Sequence, residues 1–415
     1  MNTIPRGIKL ITIFIFLFTI SSEAQYPVGT WTPKATFMGS ARGFASAFCI
    51  DTMGYIGLGK DTALQRDFYK YFPALDAWQR IDSFPGLARS SAVSFSNDSA
   101  GWGFIGSGFV GGNTWYCDYW RYNQIDSSWM QVNSSNTSLF RSQAVGVAVG
   151  TNGYVTTGVD GNFKLNDTYR YDMLTDSWVT DSSFAGVIRN AAAGFKIGSK
   201  IYVGTGMNDS TYYNDFWSFD PVSHTWTQEA DFGGTARFGA VGFSLGGFGF
   251  IGLGYDLNFS VRQDFWLYDP NVNIWTFVSH FPGTGRKYAV AFTIHDSIAY
   301  VGTGIDANNN NTNDFWQFAA DTTAGINEIN NHLATSSIYP NPSNGIFQLN
   351  YDLGNISNAD LIINDETGKQ VAIYNLLTNK SNIMIDQSNL RNGIYYYSIK
   401  NNNKLLNSGK ICILK

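Results

Sequence analysis

RNAAAGFKIGSKIYVGTGMNDSTYYNDFWSFDPVSHTWTQ, residues 189–228, alternates short apolar runs with turn residues. The run 191–196 predicts a strand, Gly198-Ser199 a two-residue hairpin turn, and 201–205 the returning strand. Gly204 and Gly206 mark a point where backbone must approach backbone. After a loop, 215–219 predicts a third strand with Phe216 and Trp217. Asp220-Pro221 opens a turn, and 225–228 predicts a fourth strand that carries Trp226.

The same markers recur in fixed order along the chain. Arginines stand at Arg42, Arg89, Arg141, Arg189, Arg237 and Arg286, with gaps of 47, 52, 48, 48 and 49 residues. Tryptophans keep phase at Trp31, Trp78, Trp129, Trp178, Trp226 and Trp275. Between them come the pairs Gly57/Gly59, Gly106/Gly108, Gly204/Gly206, Gly252/Gly254 and Gly302/Gly304, and then an Asp-aromatic-aromatic triplet such as Asp67-Phe68-Tyr69 or Asp215-Phe216-Trp217. Unit three departs twice, reading Thr156-Thr157-Gly158 and Asp167-Thr168-Tyr169. Four antiparallel strands per unit of about 50 residues make a propeller blade, and six arginines predict six blades. No tryptophan follows the sixth triplet, while Trp31 precedes the first arginine. The strand around Trp31 is therefore expected to complete the last blade, which leaves no raw edge in the ring.

This pattern resembles the kelch family, whose repeat has an Arg before strand one, a glycine doublet after strand two and an aromatic third strand leading to a turn and Trp. Here the doublet is Gly-x-Gly, a divergent form. The expected fold is all-β: a six-bladed kelch-type β-propeller over 25–320, a linker over 321–336, and a small C-terminal β-sandwich over 337–415.

The N-terminus reads as a secretory signal peptide over 1–24. Arg6 and Lys9 start it, an apolar run spans 10–20, and Ser22 and Ala24 form a small-residue cleavage site before Gln25. The run is too short to span a bilayer, and no transmembrane segment is expected elsewhere. The 415-residue chain has a net charge of −5 and 14% charged residues, which excludes the basic footprint of a nucleic-acid binder. Cys49, Cys117 and Cys412 are too few and odd in number for a disulfide framework.

After residue 336 come Tyr339-Pro340-Asn341-Pro342-Ser343-Asn344-Gly345 and five alternating runs separated by turns, including Gly368-Lys369 and Asn392-Gly393. With the terminal Lys415, this segment resembles the type A sorting domain of type IX secretion. The resemblance implies a Bacteroidetes-type source, passage through the periplasm by the Sec translocon and type IX machinery, and release or attachment at the outer surface. The motif residues are Pro340, Asn341, Pro342, Gly345, Gly368, Lys369 and Gly393.

Six arginines around a ring look like an anion site. Each unit also supplies one aspartate, and unpaired buried charge is expensive, so internal pairing is the expected role. Four histidines, His224, His280, His295 and His332, have no metal-ligand spacing, and no metal or other cofactor is expected. Calcium stays open only through the oxygen-rich loops Asp160-Gly161-Asn162 and 306–310, for which polar turn chemistry is the simpler account. The loops between strands two and three vary most. Their aromatic residues Trp115, Tyr116, Phe163, Tyr212, Tyr213 and Phe259 are the candidate ligand surface, suited to stacking on sugar rings or gripping protein. The expected function is a secreted or surface-displayed binding module for a glycan or protein. The alternative is an exported sugar-modifying enzyme, since kelch propellers include sialic acid mutarotases. Glu229, the only glutamate among the repeats, sits on a strand-four position poorly placed for central acid–base work.

Overall fold

The computed structural model describes residues 29–133, 139–161, 163–209, 211–320, 335–353, 357–365, 369–377, 382–401 and 404–415. The expected leader, Asn162, most of the expected linker and Gly368 lie outside them. Two compact units divide the chain, Met1–Gly325 and Ile326–Lys415.

The first unit holds six four-stranded antiparallel sheets. Blade four, for example, orders Ala193–Ile197, Lys200–Gly204, Phe216–Asp220 and Thr225–Gln228 from the inside outward. These strands start and end within two residues of the sequence expectation. In blade six the outermost strand is Gly29–Lys34, paired antiparallel with Phe315–Ala320 so that Trp31 faces Phe318.

Two closed belts of backbone hydrogen bonds tie the blades together. In one, the N–H groups of Phe44, Ser91, Gln143, Ala191, Gly239 and Tyr288 each donate to the carbonyl of the same position one blade earlier, at 2.9–3.2 Å, and Phe44 returns to Tyr288. In the other, the second glycine of each pair donates to the arginine carbonyl of the next blade, from Gly59 to Arg89 (2.9 Å) through to Gly304 and Arg42 (2.8 Å). Those glycines have φ between +90° and +113°. A Cβ at Gly59 would stand 2.8 Å from the Gly43 carbonyl oxygen, so only glycine combines this backbone with this approach.

The tryptophans form a third joint, at the outer strands. Trp78, Trp129, Trp178, Trp226 and Trp275 each donate Nε1–H to a backbone carbonyl of the preceding blade, at 2.8–3.3 Å. Trp31 donates instead to the Ser279 hydroxyl at 3.0 Å. The indole thus buries area and satisfies a backbone group across the blade boundary in one move.

The departures of unit three prove to be one compensated change. The first glycine of a pair faces the first aromatic of the third strand, as Gly57 faces Phe68, and a Cβ at Gly57 would lie 2.1 Å from that ring. In blade three the facing residues are Thr156 and Thr168, and their hydroxyls hydrogen-bond at 2.9 Å. Removing the ring makes room for the side chain. Gly158, whose positive φ is required by the belt, is retained.

The second unit is a pair of sheets. Thr335–Tyr339, Ile346–Asp352 and Asn382–Asp386 form one, and Gln370–Leu377, Asn358–Asn364, Gly393–Asn401 and Lys404–Ile413 the other. Phe347, Leu349 and Ile385 meet Leu361, Ile399 and Ile411 in the core between them. Two strands go beyond the sequence reading. Thr335–Tyr339 begins inside the segment expected to be linker because its backbone pairs with Ile346–Asp352. Lys404–Ile413 pairs with Gly393–Asn401.

Candidate functional site

Each repeat arginine is buried, at most 1% exposed, and is consumed by its own blade. The pairs are Arg42–Asp67, Arg89–Asp118, Arg141–Asp167, Arg189–Asp215, Arg237–Asp264 and Arg286–Asp314, at 2.5–2.9 Å. The guanidinium also donates to the carbonyl between the paired glycines, as Arg42 does to Leu58 at 2.9 Å. In four blades a tryptophan indole donates to the same aspartate. Burial pushes the Asp67, Asp264 and Asp314 carboxyls up, but the hydrogen bonds and charge of their arginines outweigh it and hold all three below the ordinary carboxylate range. Each guanidinium is thus engaged by the aspartate and the backbone carbonyl of its own blade, which gives the ring a structural role.

The second-to-third-strand loops emerge at the same end of each blade as these arginines. Of the six candidate aromatics, Tyr116 and Tyr213 lie against guanidiniums, with Arg89 5.7 Å and Arg189 4.3 Å from their ring centres. Tyr212 packs edge-on against Phe238 at 4.9 Å. Phe163 and Phe259 are exposed tips, at 68% and 80%. Trp115 leans from blade two toward blade three, donating Nε1–H to the Ser142 hydroxyl at 3.1 Å and closing over Gly161. The six therefore sit in different surroundings.

Trp115 does line a cleft of about 590 Å³ between blades two and three, with Asn113, Phe140, Asp160, Asp167 and Tyr169 around it. Sequence reasoning missed these partners. The available signal was unit three itself. Its triplet has Tyr169 where four other blades have a tryptophan, and Thr168 where the others have an aromatic residue. The cleft thus offers aromatic faces beside amide and carboxylate acceptors.

The other candidate groups are tied into turns and strands. Glu229 accepts from the Ser218 hydroxyl at 2.7 Å on blade four. His224 meets Asp181 at 2.9 Å and His295 meets Asp51 at 3.3 Å. Asp306 accepts the Asn308 and Asn310 backbone N–H groups, both at 2.8 Å. Among the described residues no three His, Cys, Asp or Glu side chains gather as a metal site. Cys49 is a buried free thiol, raised far above its ordinary pKa by burial and then by Asp98 and Asp51.

In the second unit, motifs from both ends of the segment meet in one corner. The Asn341 side chain donates to the Lys410 carbonyl and accepts from the Cys412 N–H, both at 2.8 Å. Ser343 N–H donates to the Cys412 carbonyl and Leu414 N–H to Ser343. Gln387 N–H donates to Gly345, Lys369 N–H to Asp365, and Gly393 pairs with Ile413. The Lys415 N–H donates to Asn392 at 2.9 Å, and its ammonium to the Ser388 and Leu390 carbonyls. The Asn341 amide stands in for a strand peptide along the edge of Lys404–Ile413. Asn341→Ala is expected to lower the stability of this unit by about 1–3 kcal/mol, since two edge groups lose their partner. The loss is readable as faster amide exchange in 408–414.

Comparison with known proteins accords with both parts. The kelch motif family matches residues 189–233, and the family described as "Secretion system C-terminal sorting domain" matches 337–414. No curated protein matches in sequence. Among 569 matching solved chains is one described as "Structure of YjhT". It has 17% identity and a TM-score of 0.59, and the match covers 67% of this chain and 95% of that one. A fold shared so widely does not assign a ligand. Among the described residues no helix is long and apolar enough to cross a membrane. The chain is a kelch-repeat β-propeller protein with a C-terminal type IX secretion sorting domain, which directs it to the cell surface or the medium.

Proposed function

We propose that the propeller is an exported binding module that takes a carbohydrate in the cleft between blades two and three. The observation that carries this reading is the Trp115 ring beside Asn113, Asp160 and Asp167 in one concave site. Sugar rings present an apolar C–H face to an aromatic ring and hydroxyls at their edge to carboxylates and amides. Asp160 adds negative charge to the cleft while the charge of Asp167 is balanced by Arg141, which favours neutral or amino sugars over acidic ones.

The test is a glycan array probed with the purified full chain, followed by titration calorimetry on any hit. Trp115→Ala is expected to weaken binding tenfold or more, as for a central aromatic anchor contributing about 2 kcal/mol. Trp115→Phe should retain most of it. No glycan bound by a folded protein, or affinity indifferent to Trp115, would refute the carbohydrate reading and favour a protein ligand.

A further inference from the structure

The strand-one-to-two hairpins lie at the opposite end of the blades from the cleft, and they are not equivalent. Ile50 and Met53, like Ile197 and Lys200, are joined by two residues. In blade two, four residues separate Asn97 from Trp102, and in blade six three separate Ile294 from Ile298. A ring built only for closure has no use for unequal hairpins. The longer two carry Asp98 and His295.

The blade-two hairpin is also tied down by hydrogen bonds. Asp98, Ser99 and Ala100 form a single 3-10 turn. Asn97 caps it, accepting from Ala100 N–H at 3.2 Å and from the Ser99 hydroxyl at 2.8 Å. The same side chain donates to the Gly150 carbonyl of blade three at 3.3 Å. Asp98 is thereby fixed at the rim of the axial channel, whose mouth on this face is a cavity of about 420 Å³. Lys196, from the inner strand of blade four, lines the same cavity, with Ser96, Ser244 and Thr293. The inner-strand position that is lysine here is Cys49, Ser96, Ala148, Ser244 or Thr293 in the other blades. One ammonium and one carboxylate therefore share a mouth floored by hydroxyls. Partial withdrawal from water raises the Asp98 carboxyl and the Asp51 charge adds to the rise, against the attraction of Lys196 and His295 and a hydrogen bond from the Asp51 backbone. Among the described residues the Thr293 hydroxyl has no hydrogen-bond partner.

We propose that this mouth is a second binding site, for a small zwitterion of the amino-acid or short-peptide class. The ligand carboxylate would meet Lys196, its ammonium Asp98, and its amide or hydroxyl groups the Ser244 and Thr293 side chains. Opposite charges placed apart across a cavity, without a direct ion pair, select a ligand that carries both charges over one that carries either.

The test is calorimetric titration of the full chain with glycine, glycylglycine and triglycine, whose charge separations increase in that order. One of the three is expected to bind one-to-one, with N-acetylglycine and glycinamide at least tenfold weaker. Lys196→Gln and Asp98→Asn should each weaken binding at least tenfold, with unchanged thermal unfolding. Trp115→Ala, on the opposite face, should leave it unchanged, which separates this site from the carbohydrate cleft. Absence of binding by all three zwitterions to folded protein, or binding unaffected by both substitutions, would overturn the proposal.

Discussion

Arg189→Leu is expected to lower the unfolding free energy of the propeller by about 3–5 kcal/mol, the range for removing one partner of a buried ion pair. The guanidinium reaches both Asp215 oxygens at 2.5 and 2.8 Å, the Thr205 carbonyl at 3.0 Å and the Val187 carbonyl at 2.9 Å. It also sits between the rings of Phe184 and Tyr213. Leucine fills part of the volume but leaves the Asp215 carboxylate without its counter-charge, held by the Trp217 indole alone among these donors, and takes a donor from two carbonyls. Arg189→Lys should recover little, because a single ammonium cannot reproduce a planar fork that engages four acceptors. The double variant Arg189→Met/Asp215→Leu should recover much of the loss, since it removes both charges together. The measurement is the urea midpoint of the propeller transition followed by tryptophan fluorescence. An unchanged midpoint for Arg189→Leu would mean that the arginine ring is held for a ligand and not for the fold.

Gly206→Ala is expected to be nearly as damaging, at about 3 kcal/mol or more, although it adds one methyl group. Three effects coincide. The residue has φ +95°, outside the region that alanine adopts easily. Its Cβ would stand 2.9 Å from the Asn190 carbonyl oxygen and 3.1 Å from Ala192, where the facing atoms are mostly backbone and cannot rotate away. Any shift that relieves these contacts stretches the 2.8 Å bond to the Arg237 carbonyl, one of the six in its belt. Gly198→Ala is the control. That glycine also has positive φ, at +58°, but nothing stands within 4 Å of its added Cβ. Its substitution should cost only about 1 kcal/mol of backbone strain. Equal effects at the two positions would show that close approach, and hence the belt, contributes nothing.

The fold was legible because each repeat marker answers a local requirement. The second glycine needs its positive φ, the tryptophan an acceptor on the preceding blade, and the aspartate a cation. Six copies of a residue in phase leave few alternatives. Unit three looked irregular only because Thr156 and Thr168 are twelve residues apart in sequence and face each other across two strands. The alanines Ala45, Ala92, Ala144, Ala192, Ala240 and Ala289, each three residues after its arginine, were a marker that went unread. They line the axial channel, where larger side chains would collide around a narrow ring.

The candidate sites were much less legible. Trp115 stood out as a loop aromatic, but Tyr116, Tyr212 and Tyr213 carry the same composition and pack against Arg89, Phe238 and Arg189 without lining the cleft. Whether a loop aromatic lines a cleft depends on what the neighbouring blade places beside it. Asp98 and Lys196 likewise lie almost one hundred residues apart, and no spacing rule joins them. Periodicity and backbone chemistry along the chain were enough for six blades, their closure and the sorting tail, because those rest on interactions repeated at a constant offset. The cleft and the charged channel mouth break that periodicity. They exist only where distant loops are carried to a common surface, so their chemistry becomes readable once the ring has closed.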